Sequence, residues 1–468
     1  MAPDWGFRKT TSLWFGRLDR RDGFLGCGVG VLTGAVSRVR NPLLVSLTNL
    51  RGNGRASVYT EPLWGLSMML VLPYASVFML ALGVHDTQIG LLATISMLSQ
   101  VVFGLLSGVI TDKLGRRATT AWFDIVAWAI PCLIWAFAQN FWWFLVAAVV
   151  NGAWQVTQNS WDCLLVEDVD RAEIPKVYSL IKVAADFSAL FAPIAALLVS
   201  RFGLEPAVRI LYLNAFVIMS VKIWLLYRYS TETATGRVRM ERTRGVSIWR
   251  SLAEYRGVLG LIVHSKGTIF SLAIAAIVGA VGLVNGTFWQ VVVNQRLGVP
   301  DALLPFFPMV RSILSVIFFF TIIPRLTNAR HLKLPTLIGF GVYLTGQLLL
   351  VGIPEPDGAA SASVYGMLGV CLLLDAFGAG ISFMLAESLV ALHVDQQERS
   401  RVMAIQRTCV MLVTAPFGWI SGWLSSMDRT WPFVLTSALL VLGLVVAGRF
   451  WVTTHAQVTP EPEATSAL

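Results

Sequence analysis

The stretch "GVITDKLGRR", from Gly108 to Arg117, places an acid, a glycine and three cations directly after an apolar run. A helix buried in hydrocarbon does not tolerate these charges, because each one is expensive away from water. The pattern matches no enzyme motif. It indicates a water-facing turn between two apolar helices, and the number of such helices decides the fold.

The composition places the chain among membrane proteins. Of its 468 residues, 56% are hydrophobic and only 13% are charged, and the mean hydropathy is +0.68. Soluble domains have about a quarter of their residues charged, so this chain could not cover a water-exposed surface. The net charge of +9 would suggest nucleic acid as a partner of a soluble protein, but no nucleic acid is expected here.

Twelve apolar stretches are long enough to span a bilayer, which takes about 20 residues of helix. Each should be a helix, because unpaired backbone groups cannot face lipid. These stretches, spans 1 to 12, are placed near 62–84, 88–111, 118–138, 141–165, 177–200, 206–228, 267–292, 303–325, 334–353, 362–391, 401–424 and 430–451.

The spans predict an all-α membrane protein with two six-helix bundles, at 62–228 and 267–451. Residues 1–61 are interpreted as a basic cytoplasmic arm with possible interfacial helices, and 452–468 as a disordered tail. Residues 229–266 are interpreted as a cytoplasmic linker with an amphipathic surface helix. The cations of the arm and the linker are expected to contact anionic lipid head groups.

The distribution of Lys and Arg predicts the orientation. Most cations lie in the arm, in the turn at 112–117, in the linker and in the turn at 325–333. The other side offers little beyond Arg201, Arg296 and Arg429. Positive charges stay inside, which predicts a multi-pass protein of the cell membrane with both termini in the cytoplasm.

Two internal matches indicate a duplicated half. "LGVHD" at 82–86 returns as "LGVPD" at 297–301. In a second match Asp162 aligns with Glu387, and Lys182 aligns with Arg407 at the same separation. Acid therefore meets acid and base meets base, inside helices where charge is costly.

The turn that follows span 2 resembles the signature loop of the major facilitator superfamily (MFS). That loop is a glycine, three residues, an aspartate, two residues, then a glycine and two cations. Gly108, Asp112, Gly115, Arg116 and Arg117 all match. With twelve spans, a repeat and a long linker, the resemblance covers about residues 62–451, and it identifies the superfamily without identifying a substrate.

The resemblance implies a latch between the halves. Asp112 would lie against the N-terminus of span 11, where the helix dipole favours an anion. Arg116 and Arg117 would reach acids at the end of span 4, for which Glu167 and Asp168 are the local candidates. The alternative is topological, with the cations only holding a tight loop inside.

Three charges inside spans are given structural roles. Lys222 and Arg209 lie near opposite ends of span 6 and are expected to snorkel to the membrane surface. Asp124 lies on span 3, a peripheral helix in this architecture, and a hydrogen-bonding role is favoured.

The remaining charges are candidates for function. Lys182 and Asp186 stand four residues apart on span 5 and can pair, with Asp162 competing for the same cation. The Asp162/Lys182 and Glu387/Arg407 pairs are predicted to serve gating or structure. Asp186, Asp375 and Arg311 are the candidates for handling substrate or protons.

Polar and aromatic residues supply further candidates. Asn151, Gln155 and Gln158 form a polar stripe on span 4 with Asn159 and Asp162, which can either line a cavity or join helices. Trp154, Tyr74 and Trp289 are candidates for contact with substrate, although packing is the simpler reading of each.

These residues predict a secondary active transporter that works by alternating access as a monomer. Proton coupling is preferred, because buried carboxylates are available and no GxxxxGK[ST] nucleotide motif occurs. No metal or nucleophile constellation is present, so neither an enzyme nor a cofactor is predicted. The expected partners are a small organic solute, protons and membrane lipids.

Direction and substrate stay open. Export of an amphipathic compound is slightly favoured over uptake of a sugar or an organic acid. The alternative from another class is a non-transporting sensor or scaffold that keeps the fold.

Overall fold

A computed structural model describes residues 50–170, 173–245, 266–321, 332–356, 358–392 and 399–451. The arm before residue 50, the amphipathic part of the linker and the tail at 452–468 lie outside the described residues, so those predictions stay predictions.

Eleven helices of the described residues are long and apolar enough to cross a membrane. They are Gly52–Ala81, Asp86–Leu114, Arg116–Ala136, Lys176–Phe202, Leu204–Tyr229, Gly267–Arg296, Asp301–Phe318, Lys333–Gly352, Ala362–Leu389, Arg407–Met427 and Trp431–Arg449. The twelfth, span 4, is divided into Phe141–Asn151 and Trp154–Val166, each too short alone. The predicted all-helical class is confirmed.

Span 4 breaks where span 2 comes close to it. A Cβ added to Gly152 would lie 2.3 Å from Ser99 Oγ. Ser99 Oγ donates to Val149 O at 2.7 Å, and Asn151 Nδ2 donates to Ala127 O at 2.8 Å. Ser99 thereby satisfies a carbonyl of span 4 at the break, whereas Asn151 ties the break to span 3.

Span 1 begins at Gly52, ten residues before its predicted start near 62. Asn53, Ser57, Thr60 and Glu61, which the prediction had assigned to the cytoplasmic arm, are buried. Asn53 accepts from Thr231 N–H and donates to Asp168. These contacts replace water for Asn53, so the helix can begin before it.

The first sequence repeat has a structural counterpart. Gly83 and Gly298 end spans 1 and 7, and both have positive φ, 78° and 66°. Only glycine adopts this conformation readily. Val84 and Val299, which follow them, are both buried. The two halves thus turn from their first span to their second in the same way.

A hydrophobic cluster joins the halves at one end of the bundle. It contains Tyr74 and Phe78 from the first half and Phe288, Val292 and Leu368 from the second. We call this the closed end; it also carries the turn at 82–86. The other end, which carries the turn at 114–117 and the linker, is called the basic end.

Candidate transport cavity and its surroundings

A cavity of about 350 Å³ lies between the halves, in the part of the spans nearer the basic end. Spans 2 and 4 form one wall, and spans 7, 10 and 11 form the other. Its polar lining consists of Ser107, Gln155, Gln158, Asn159, Asp162, Glu387, Arg407 and Thr408. Apolar side chains, among them Val278, Phe383 and Met411, complete it.

The polar stripe of span 4 divides between the two roles considered for it. Gln155 and Gln158 line the cavity, as predicted, and Gln155 Nε2 lies 3.7 Å from Met411 Sδ of the other half. Gln158 Nε2 donates to Asp162 Oδ2 at 3.1 Å. Asn151 is outside the cavity lining and bonds span 3, so its predicted substrate role is not supported.

The charge pairs predicted within each half are not formed. Lys182 Nζ pairs with Asp186 on its own helix, as the spacing allowed, and not with Asp162. Asp162 accepts from Gln158 and, at 3.4 Å, from Tyr178 Oη. Both Glu387 and Arg407 line the cavity, yet the ion pairs among the described residues do not include them.

The charges of the repeat instead face across the interface between halves. Asp162 and Arg407 line opposite walls of the central cavity. Lys182 and Glu387 line a neighbouring pocket of about 310 Å³. Each half therefore places the acid of its fourth span and the base of its fifth near the interface, although no ion pair among the described residues joins them across it in this conformation.

At the closed end, spans 2 and 11 touch through their backbones. A Cβ added to Gly90 would lie 2.4 Å from Gly418 O and 2.7 Å from Gly422 Cα. Thr94 Oγ1 donates to Ala415 O at 2.7 Å. We call Gly90, Gly418 and Gly422 the glycine seam.

Polar contacts continue the seam to the surface. Asp86 accepts from Ser425 Oγ at 2.9 Å, and Arg429 Nη2 lies 3.8 Å from its other oxygen. Hydrogen bonds from Thr430 hold the pKa of Asp428, in the neighbouring loop, below its ordinary value. With the seam and the hydrophobic cluster, the halves are in contact at this end.

Tyr74 and Trp289 belong to this closed end and not to the cavity. Tyr74 is fully buried in the hydrophobic cluster. Trp289 packs edge-on against Phe307, with 5.2 Å between ring centroids. Neither residue lines the central cavity in this conformation, so the substrate contact predicted for them stays a prediction.

The signature loop is held by ion pairs. Arg116 Nη1 lies 3.0 Å from Asp112 Oδ1, and Arg116 Nε lies 3.1 Å from Glu167 Oε1. The contact between the loop and Glu167 at the end of span 4 is present as expected. Arg116 is buried, and its hydrogen bonds to Asp112 and Glu167 join oppositely charged groups. Such charge-assisted hydrogen bonds are strong, so they hold the turn in place.

Other predicted latch contacts are replaced. Arg117 Nη2 donates to Tyr227 O at 2.7 Å, and its guanidinium lies 4.0 Å from the centre of the Tyr227 ring. Asp168 accepts from Asn53 Nδ2 at 2.7 Å and does not meet either arginine. These contacts stay within the first half. The contact predicted between Asp112 and the start of span 11 involves side chains outside the described residues.

The sequence model described as Major Facilitator Superfamily matches residues 63–362 of the chain. This protein belongs to the Major Facilitator Superfamily. It is a multi-pass membrane protein of a transporter family, in agreement with its fold and its signature loop.

Relatives of this MFS protein differ in what they carry. The multi-drug resistance efflux pump PmrA of Streptococcus pneumoniae is 30% identical over 108 residues, which make up 22% of this chain and 27% of the pump. The nucleoside transporter NupG is 14% identical with a TM-score of 0.65, covering 86% of this chain and 98% of its own. The human organic anion transporter MFSD10 (TETRAN) is 16% identical with a TM-score of 0.60, covering 87% and 99%. At these identities the structures show the fold alone.

Glu232 of the linker is a functional residue that the sequence reasoning missed. Its carboxylate accepts from the backbone N–H groups of Arg116 and Arg117 at 2.8 and 3.0 Å. Gly115, at φ 84°, leaves room for it, since an added Cβ would lie 2.6 Å from Glu232 Oε2. The linker therefore completes the MFS signature loop.

The interior of the first half holds a buried ion pair. Lys222 Nζ lies 2.5 Å from Asp124 Oδ2, and the two side chains are 4% and 1% exposed. The predicted snorkelling of Lys222 is wrong, because a partner inside the bundle removes the need to reach water. The guanidinium of Arg209, also expected to reach the membrane surface, donates hydrogen bonds to Ala136 O and Ala138 O at 2.7 Å each.

Asp375 lies inside the second half, away from the lining of the central cavity. It accepts from Gln347 Nε2 at 3.0 Å, and Gln347 is bonded in turn to Asn285 and Thr436. Arg311, an exposed residue on span 8, acts on it through charge. The structure therefore places neither Asp375 nor Asp186 at the cavity.

Proposed function

We propose that this MFS protein exports a small amphipathic organic cation by alternating access, in exchange for protons. The observation that carries the proposal is a polar cavity between the halves, near the basic end, while the halves meet at the closed end. One-sided closure is the arrangement that alternating access requires. The basic end is proposed to face the cytoplasm of a cell membrane.

The charge of the cavity supports a cationic solute. Asp162 and Glu387 contribute two carboxylates, and Arg407 contributes one guanidinium. One negative charge is therefore in excess when both acids are ionised. Apolar walls around few polar groups suit a ligand with an apolar body.

Proton exchange follows from the same carboxylates. A cation and a proton both neutralise Asp162 or Glu387, so the two compete for one charge. Release of the solute at the closed end would leave a carboxylate to be protonated for the return. Arg407 and Lys182 are placed to approach the acids of the opposite half when the basic end closes.

Transport in proteoliposomes tests the proposal. The protein is reconstituted with a pH-sensitive dye, a proton gradient is imposed, and movement of tetraphenylphosphonium is followed. Exchange of the cation for protons is expected, and Asp162→Asn and Glu387→Gln should each slow it roughly tenfold or more, since each removes a carboxylate that lines the cavity. The exposed linker residue Glu241 supplies the control variant Glu241→Gln.

Several outcomes would contradict the proposal. Proton-driven uptake of a sugar or an organic acid would reverse its direction and substrate. No movement of protons with any cation, acid or sugar would favour the sensor or scaffold. Wild-type rates in both cavity variants would separate these carboxylates from transport.

A further inference from the structure

A further pocket, distinct from the central cavity and from the pocket of Lys182 and Glu387, lies in the first half. Spans 1, 3, 4 and 6 line it, and its volume is about 390 Å³. Four tryptophans line it, Trp64, Trp128, Trp154 and Trp161. We call it the tryptophan pocket. The rings of Trp64 and Trp128 are 5.5 Å apart at 83°, and those of Trp128 and Trp154 are 6.4 Å apart at 50°.

Glu61 brings an unpaired carboxylate to this pocket. It is only 9% exposed, and among the described residues no side-chain hydrogen bond or ion pair engages it. Asp124 and Lys222 also line the pocket but are bound to each other, and Asp124 Oδ1 has no hydrogen-bond partner among the described residues. The three charges leave one negative charge uncompensated when Glu61 is ionised.

The missing partner is a cation, because an isolated carboxylate inside a bundle is costly until a positive charge pairs with it. Lys222 does not serve, since its Nζ is held by Asp124. Among aromatic side chains tryptophan attracts organic cations most strongly, and the attraction is larger where water is excluded. A carboxylate beside several indole rings is thus a site for an ammonium group.

The pocket lies next to the central cavity. Gln158 lines both the tryptophan pocket and the central cavity, so its side chain separates the two spaces. The volume is within the range of small-molecule sites. We propose that the tryptophan pocket binds an organic ammonium ligand, with Glu61 as its counter-ion and Trp64 and Trp128 as aromatic contacts. This proposal concerns binding and stands apart from transport.

Calorimetric titration of the full chain in nanodiscs tests it. The probe is choline, and its neutral isostere 3,3-dimethylbutan-1-ol has the same shape without the charge. Choline is expected to bind about tenfold more tightly than the isostere. Glu61→Gln should remove that difference, and Trp128→Phe should weaken choline several-fold while the control Glu241→Gln binds like wild type.

The variants separate this site from the central cavity. Equal binding of choline and its isostere to the wild type, or no binding of either, overturns the proposal. So does loss of choline binding in Asp162→Asn while Glu61→Gln binds normally, because choline would then occupy the central cavity. If Glu61→Gln fails to fold, as judged by thermal unfolding, Trp128→Phe and Trp64→Phe decide. Failed transport in proteoliposomes leaves this test unaffected.

Discussion

Glu232 completes the start of span 3, where the backbone leaves N–H groups without partners inside the helix. Two of them, from Arg116 and Arg117, are taken by its carboxylate. The negative charge also lies at the positive end of the helix dipole. Glycine is required at position 115 for more than its backbone angle, since any side chain there would displace the Glu232 carboxylate.

Replacing Glu232 by alanine should lower the free energy of unfolding by about 1–2 kcal/mol, the range found for lost helix caps. Thermal or denaturant unfolding in detergent measures it. Glu241→Ala is the matched control, because Glu241 is an exposed acid of the same linker, on the helix Ala234–Thr243 that follows Glu232. Equal losses in the two variants would show that Glu232 is not acting as a cap.

For individual residues, the sequence predicted the contacts of those that belong to a motif and missed those that belong to none. The signature spacing predicted the contact of Arg116 with Glu167, because the family pattern ties them together. Glu61 and Glu232 belong to no local pattern. Both acquire their roles from helices distant in sequence, so neither spacing nor composition marked them.

Among the helices, length and apolarity predicted where the spans lie but not where they are interrupted. Span 4 divides at Gly152, where Ser99 of span 2 packs closely against it. The sequence of span 4 alone cannot reveal this contact, because it depends on a neighbouring helix. Span 1 extends back to Gly52, and Asn53 near its start finds partners on other elements. Hydropathy counts such residues as if they faced lipid or water.

The glycine seam allows spans 2 and 11 to meet backbone to backbone. Gly90→Ala would place a methyl group 2.4 Å from Gly418 O. Overpacking of this kind costs about 1–3 kcal/mol, and only the conformation closed at this end bears the cost. We expect the population to shift toward opening there.

Labelling measures this shift. Ser425→Cys, beside the seam, should react faster with an impermeant maleimide in the Gly90→Ala background. Gly104→Ala on the same helix is the control, since an added Cβ there meets nothing within 4 Å. Unchanged labelling in Gly90→Ala would show that the seam does not govern closure.

In the whole molecule, the duplication was visible in the sequence, and its consequence for the charges was not. Spacing within one half predicted pairs within that half. In the structure Asp162 shares the lining of one pocket with Arg407, and Glu387 shares the lining of another with Lys182, because both repeats place these residues near the shared interface. Composition, the number of spans and one loop were enough to predict the membrane class, the repeat and the superfamily.

A double-mutant cycle tests the contact across halves. Asp162→Asn and Arg407→Gln should be coupled by about 0.5 kcal/mol or more in unfolding free energy. Asp162→Asn and Lys182→Gln form the matched control and should be additive, because Lys182 is bound to Asp186. Coupling only in the second cycle would restore pairing within the half.

The linker changes where the chain can be divided. Glu232, Thr233 and Thr243 are bonded to the first half, through Arg116, Glu167 and Asp112. Residues 230–243 therefore belong to the first half as a folding unit. If the gene is split after Gly245, the first fragment keeps Glu232 and its hydrogen bonds to the signature loop. If it is split after Tyr229, Glu232 belongs to the second fragment and the loop in the first fragment loses these hydrogen bonds.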